Sequence, residues 1–251
     1  MRTVAQFRLC LLGEFDLRIG DESVSVPVRC QQVLALLALR DRPVERRPLC
    51  AALWPDEPPE RCRNNLRTTI WRLRQLDDRL VLVDGTHVRL GQEVEVDVRH
   101  AMAQARDAID AGRLSPDLDL RLLCADLLED WDDEWVLLER ERFRQLRMHA
   151  LEAISVQLSR QGAHSLAVEA GLGAISAEPF RESAHRALIE AFIGEGNLVE
   201  ALRQYQRFSD LAAELGIMPS PRLTSLMKDL LPVPHDVIPA QVRRRVRRSD
   251  G

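Results

Sequence analysis

Lysine is almost missing. Of the 35 basic residues only Lys228 is lysine, and all the others are arginine. A guanidinium suits bidentate contacts to phosphates and bases, but a skew this complete runs along the whole chain and marks no particular site; codon usage in a GC-rich genome is the plainer cause. Cysteine is scarce and odd in number: Cys10, Cys30, Cys50, Cys62 and Cys124 contain no C-x-x-C pair. That excludes a disulfide framework and a zinc site of the usual spacing, and leaves buried thiols as the expectation.

No apolar run approaches the roughly 18 residues of a membrane helix, and the mean hydropathy is −0.21. The start, MRTVAQFRLCLLGEF, lacks the charged, apolar and small-residue regions that a signal peptide shows in order. A cytoplasmic, nucleoid-associated protein with no membrane partner is expected. Catalytic signatures are missing as well. The six histidines form no H-E-x-x-H, no serine lies in G-x-S-x-G, and no G-x-x-x-x-G-K-[ST] occurs, so neither an enzyme nor a cofactor or metal site is expected.

What is present is enough apolar residue for two ordinary cores: 45% of 251 residues. The net charge of −4 is unevenly spread: residues 1–96 carry 15 basic and 14 acidic groups, residues 97–230 carry 15 and 23, and residues 231–251 carry 5 and 2. The opening stretch FRLCLLGEFDLRIGDESVSVP alternates apolar and polar residues around Gly13 and Gly20-Asp21, which predicts short antiparallel strands. From Pro27 the period changes. Val33, Leu34, Leu37 and Ala38, then Leu49 and Leu53, recur at three and four, and Trp54-Pro55 stops that second helix. An acidic connector, DEPPE, leads to a third helix, RNNLRTTIWRLRQL, and LVLVDGTHVRL then predicts a hairpin turning at Asp84-Gly85. Helix, helix, hairpin in that order is the winged form of the helix-turn-helix.

The third helix holds Arg63, Arg67, Arg72 and Arg74 and no acid. At 100° per residue, Cys62, Leu66, Thr69, Ile70, Leu73 and Leu76 share a core-facing stripe, while Asn64, Arg67, Thr68, Trp71, Arg72, Arg74 and Gln75 lie on the other side. Arginine to guanine and an amide to adenine are the pairs that read a major groove. A solvated helix face would also hold such residues, but a recognition helix belongs at this place in the architecture. The candidate DNA contacts are Arg63, Asn64, Arg67, Thr68, Trp71, Arg72 and Arg74, with Thr86 and His87 beside the hairpin turn as minor-groove candidates or plain exposed turn residues.

Beyond Asp97 the pattern is helical almost without a break. Gln161-Gly162-Ala163 and Glu195-Gly196-Asn197 are 34 residues apart, as are Ala167 and Ala201; that period belongs to tetratricopeptide repeats. The glycines of GLGAIS fit close helix packing. The tail from Pro232, with RRRVRR and little to bury, is expected to be disordered. DLLEDWDDEW, Asp126 to Trp135, reads either as a contact surface anchored by two tryptophans or as a helix start, with acids at the positive end and the tryptophans in the core. The second reading needs nothing beyond a helix start.

LWPDEPPERCRNNLRTTIWRLRQL resembles helices 2 and 3 of the OmpR-type DNA-binding domain of antibiotic-regulatory (SARP) activators. The stretches VDVRHAMAQARDAID, EWVLLERERFRQLRMHALEAI and EGNLVEALRQYQRFSDLAAELGIMPSPRL resemble the bacterial transcriptional activator domain that follows it there. The resemblance covers about residues 5–231, with ALRQYQRFSDLAAELGIMPSPRL its most specific part. It implies an α+β N-terminal winged helix-turn-helix over 1–96, an all-α tetratricopeptide-like domain over 97–231, and a basic tail over 232–251. It also implies an activator of a secondary-metabolite or related gene cluster that binds direct repeats in promoter double-stranded DNA as a homodimer or head-to-tail pair and touches RNA polymerase. By position Asn64, Arg67, Thr68, Arg72 and Arg74 match the family's DNA-facing sites. Trp71 departs from the usual polar or basic residue there and could pack against sugar or a neighbouring protomer. With no receiver or nucleotide-binding domain visible, control by phosphorylation or ATP inside this chain is not expected. The competing reading is a tetratricopeptide-like interaction scaffold that reads no DNA sequence.

Overall fold

The computed structural model describes residues 7–110 and 114–230; the expected disorder of residues 232–251 lies outside them. Strands β1 (Phe7–Cys10), β2 (Asp16–Ile19) and β3 (Glu22–Ser23) form the antiparallel meander that the alternation predicts. Three helices follow: α1 (Val28–Arg40), α2 (Arg46–Leu53) and α3 (Pro59–Leu76), with a short strand β4 (Val44–Glu45) before α2. The wing is β5 (Val81–Asp84) and β6 (His87–Leu90), and β7 (Val94–Val96) returns to pair with β1 in parallel. The sheets run β3-β2-β1-β7 and β4-β6-β5. Neither β4 nor β7 was expected, because two or three residues cannot display a period.

The hairpin differs by one residue from the expected turn. Asp84 pairs with His87, so the two-residue loop is Gly85-Thr86, with φ +56° at Gly85 and no positive φ at Thr86. That is the requirement of a II′ turn, which needs glycine at its first central position only. Glycine is forced again at Gly91, where a β-carbon would lie 1.8 Å from the Arg79 carbonyl oxygen. The wing therefore sits tightly against the end of α3.

The remainder is helical: α4 (Asp97–Asp110), α5 (Leu120–Cys124), α6 (Glu134–Arg160), α7 (His164–Ala177), α8 (Glu182–Gly194), α9 (Leu198–Glu214) and α10 (Pro221–Leu230). The helical run is less continuous than its sequence suggests, since between residues 114 and 133 the only described helix is the short α5. The 34-residue relation is structural. Gly162 and Gly196 take φ +79° and +81° at equivalent inter-helix turns, and α6 to α9 pack in succession. Gly171 lets α7 approach α8, where an added β-carbon would lie 3.1 Å from that of Leu188. Buried Ser155 donates to the Ala167 carbonyl oxygen at 2.8 Å.

No linker separates the two parts. Strand β7 runs straight into α4, and the Asp97 carboxylate accepts from the Leu11 and Leu12 amides at 2.9 and 3.0 Å. Burial raises its pKa against the pull of those bonds. The acidic stretch completes the joint: the Leu128 amide donates to the Leu11 carbonyl oxygen at 2.9 Å, and Gln32 of α1 donates to Asp133 at 3.0 Å. Trp135 is buried, and Trp131 stacks on Phe15 with ring centroids 6.0 Å apart. One apolar cluster extends from Phe7 to Ala191 through this joint. Of the cysteines, Cys30, Cys50 and Cys62 are buried, but Cys10 is half-buried and Cys124 exposed.

Candidate nucleic-acid interface

Helix α3 starts on Pro58-Pro59, whose fixed φ suits a helix start and whose missing N–H would have had no partner there. It ends where the Asp77 amide closes on the Leu73 carbonyl oxygen at 3.2 Å. Beyond it Arg79 donates to both Asp77 carboxylate oxygens, at 2.9 and 2.7 Å, and these bonds hold the Asp77 carboxyl below its usual range. The helix buries Cys62, Leu66, Thr69, Ile70 and Leu73 against α1 and α2. Leu76, expected on the same stripe, is 44% exposed, because the chain leaves the helix at the next residue and the core ends there.

The opposite face is open. Arg63, Asn64, Arg67, Thr68, Trp71, Arg72, Arg74 and Gln75 are all exposed. Arg61 pairs with Glu57 at 3.4 Å and Arg63 reaches Glu60 at 4.0 Å, so the first turn is partly neutralised. Beyond that turn Arg67, Arg72 and Arg74 take no hydrogen bond or ion pair among the described residues. These three guanidiniums, without a counter-charge among the described residues, stand on a helix whose other side is locked into a core. Such a face attracts phosphate and offers forked donors to base edges.

The wing tip lies beside the start of α2, since the Arg46 amide donates to the Thr86 carbonyl oxygen at 3.0 Å. Thr86 is exposed at the tip. His87, the first residue after the turn, is exposed too, and its ring lies 3.9 Å from the Glu45 carboxylate on the neighbouring strand β4, so Thr86 and His87 stand together at the wing tip. Arg42 and Arg47, exposed on either side of β4, were not singled out in the sequence. They stand in a loop and at a helix start, where periodicity carries no signal; a positive helix N-terminus beside the wing was the available cue.

The model of the bacterial transcriptional activator domain matches residues 94–231. The chain belongs to that family. It is a SARP-type regulator: it is 33% identical over 231 residues to the regulatory protein AfsR of Streptomyces coelicolor, a match covering 85% of this chain and 23% of AfsR. Among solved structures it is similar to Mycobacterium tuberculosis EmbR in complex with a low-affinity phosphopeptide, with a TM-score of 0.68 and 26% identity over 92% of this chain and 66% of that one. This SARP-type chain thus spans less than a quarter of AfsR and about two thirds of the EmbR chain. The family match begins inside β7, so it includes the strand that ties the helical part to the first sheet. Among the described residues no helix is long and apolar enough to cross a membrane, and no group of three or more metal-ligating side chains occurs.

Proposed function

We propose that this SARP-type regulator reads promoter DNA through α3 and the wing, and that it activates a secondary-metabolite or related gene cluster. The observation that carries this reading is the outer face of α3 beyond its first turn, where Arg67, Arg72 and Arg74 stand exposed with no carboxylate partner among the described residues. In that reading residues 1–96 are the reading head, with Arg63, Asn64, Arg67, Thr68, Trp71, Arg72 and Arg74 in the major groove and Thr86 and His87 at the adjacent minor groove. Residues 97–231 form the activator domain, which contacts RNA polymerase. The basic stretch within residues 232–251 adds sequence-independent attraction to phosphate. Two copies bind direct repeats head to tail, and the protein works in the cytoplasm on the nucleoid.

The test is selection of duplexes from a random library by the full-length protein at about 150 mM salt, where loose phosphate binding is weakened. A motif repeated at about one helical turn supports the reading. Folded protein that enriches no sequence overturns it, and the helical part then stands as a protein-binding scaffold.

A further inference from the structure

Trp71 has no structural task. It is 60% exposed, whereas the buried side of the same helix is filled by Leu66, Ile70 and Leu73. Among the described residues its ring stacks on no other ring, lies under no guanidinium, and its N–H finds no acceptor. The ring pairs and cation–π contacts among the described residues all involve other aromatics. An indole left in water on an arginine-rich face is the costliest way to fill that position unless something covers it.

Thr68 stands one turn earlier on the same face. Its hydroxyl donates to the Asn64 carbonyl oxygen at 3.0 Å. That bond commits the polar atom to the helix backbone, so the methyl is the group left to face outward. Residues three apart on a helix are neighbours, and the Thr68 methyl and the Trp71 indole therefore form one apolar strip between Arg67 and Arg72. The face therefore sets an exposed apolar strip beside its guanidiniums.

In the major groove the apolar group that a base pair can present is the C5-methyl of thymine; cytosine carries only hydrogen there. We propose that Trp71, with the Thr68 methyl, reads the 5-methyl group of a thymine in each half of the recognised sequence, and so fixes T over C at one position beside the bases that the arginines contact. This inference rests on the DNA reading proposed above and names what one part of that site recognises. It requires no contact beyond a methyl group seated on an indole face.

The experiment uses the full-length protein and a duplex recovered by selection, in which each thymine is replaced in turn by deoxyuridine. The replacement deletes the methyl and leaves pairing and every other groove atom intact. For the wild type, one thymine per repeat is expected to be sensitive, with a loss of about fourfold, as for one methyl withdrawn from water. Trp71→Ala is expected to bind more weakly and to be indifferent to deoxyuridine at that position. Thr68→Ser, which keeps the hydroxyl and its bond but deletes the methyl, is expected to lose part of the sensitivity. Both residues are exposed, and circular dichroism checks that the variants fold. A wild type that binds a selected duplex and tolerates deoxyuridine everywhere overturns the inference. So does a sensitivity that survives in Trp71→Ala, or a Trp71→Ala variant whose defect is in self-association measured by sedimentation on DNA. These results leave the DNA reading standing; failure to recover any enriched duplex removes the reading itself.

Discussion

Helices α3 and α6 both concentrate arginine, with Arg67, Arg72 and Arg74 in one and Arg140, Arg142, Arg144 and Arg147 in the other. Those four of α6 are all engaged. Arg140 donates to the carbonyl oxygens of Leu127 at 2.9 Å and Trp131 at 3.0 Å, and Arg142 pairs with Glu139 at 2.8 Å. Arg144 joins Glu141 and Glu178 at 2.8 and 2.9 Å, and its bond brings the Glu141 carboxyl down to about 2. Arg147, buried, donates to the Cys124 carbonyl oxygen at 3.2 Å and pairs with Asp126. Arg140, Arg144 and Arg147 thereby supply donors to backbone carbonyls where chain segments end or turn. Their counterparts on α3 face outward and hold nothing among the described residues. The arginine count is similar in the two helices, so composition does not separate engaged from free guanidiniums; whether an acid or a carbonyl end lies within reach does.

The comparison breaks most sharply if α3 is given an acid of its own. Thr68→Glu places a carboxylate four residues before Arg72, on an exposed position, so helix and core should persist. Set among DNA phosphates, like charge costs several kcal/mol, and DNA affinity should fall by roughly a hundredfold or more with an unchanged melting temperature. Fluorescence anisotropy and thermal denaturation of the same sample check both halves. Unchanged affinity would mean that the outer face of α3 does not meet DNA.

The reverse change belongs to α6. Arg147→Ala leaves the carbonyls of Cys124 and Ala125 and the Asp126 carboxylate without their donor, which should cost about 3 kcal/mol. At this chain size that lowers the melting temperature by roughly 6–12 °C, while the folded fraction binds DNA as before.

A smaller effect tests where pH acts. His185 is buried, its Nε2 lies 2.8 Å from the Pro179 carbonyl oxygen and its Nδ1 2.7 Å from Gln204 Nε2. Burial is the largest influence on the ring and holds it below its usual 6.5 despite the Pro179 bond and Glu182. The neutral ring is therefore the folded one. As pH falls through 6.5 the unfolded chain takes up a proton that the folded chain refuses, so stability present above that value declines toward the lower folded pKa. The melting temperature of the wild type should drop slightly more between about pH 7.5 and 5.5 than that of His185→Gln. Parallel curves would show that His185 does not titrate on unfolding.

Much of this was legible in the residues themselves. The burial stripe of α3 follows from its period, and Gly162 and Gly196 announce their turns because only glycine takes that φ freely. The candidate site was legible as a set of outward residues, since the helix is amphipathic. What could not be seen depends on contacts between distant positions. Strand β7 forms because β1 offers it an edge, Asp97 is defined by amides 85 and 86 residues away, and the turn at Gly85-Thr86 follows from how Asp84 meets His87. Only the folded chain distinguishes Arg63, which has Glu60, from Arg67, which has none. The Thr68 hydroxyl bond was accessible in principle, because threonine within a helix commonly bonds the carbonyl four residues earlier.

The central claim is that the free guanidiniums of α3 read bases. The most direct measurement repeats the random-duplex selection with Arg67→Ala beside the wild type at the same salt. The account predicts that one base position in each repeat loses its preference while the others keep theirs, as expected when a bidentate contact is removed. A uniform loss of affinity with an unchanged sequence profile would contradict it, and would make Arg67 a phosphate contact only.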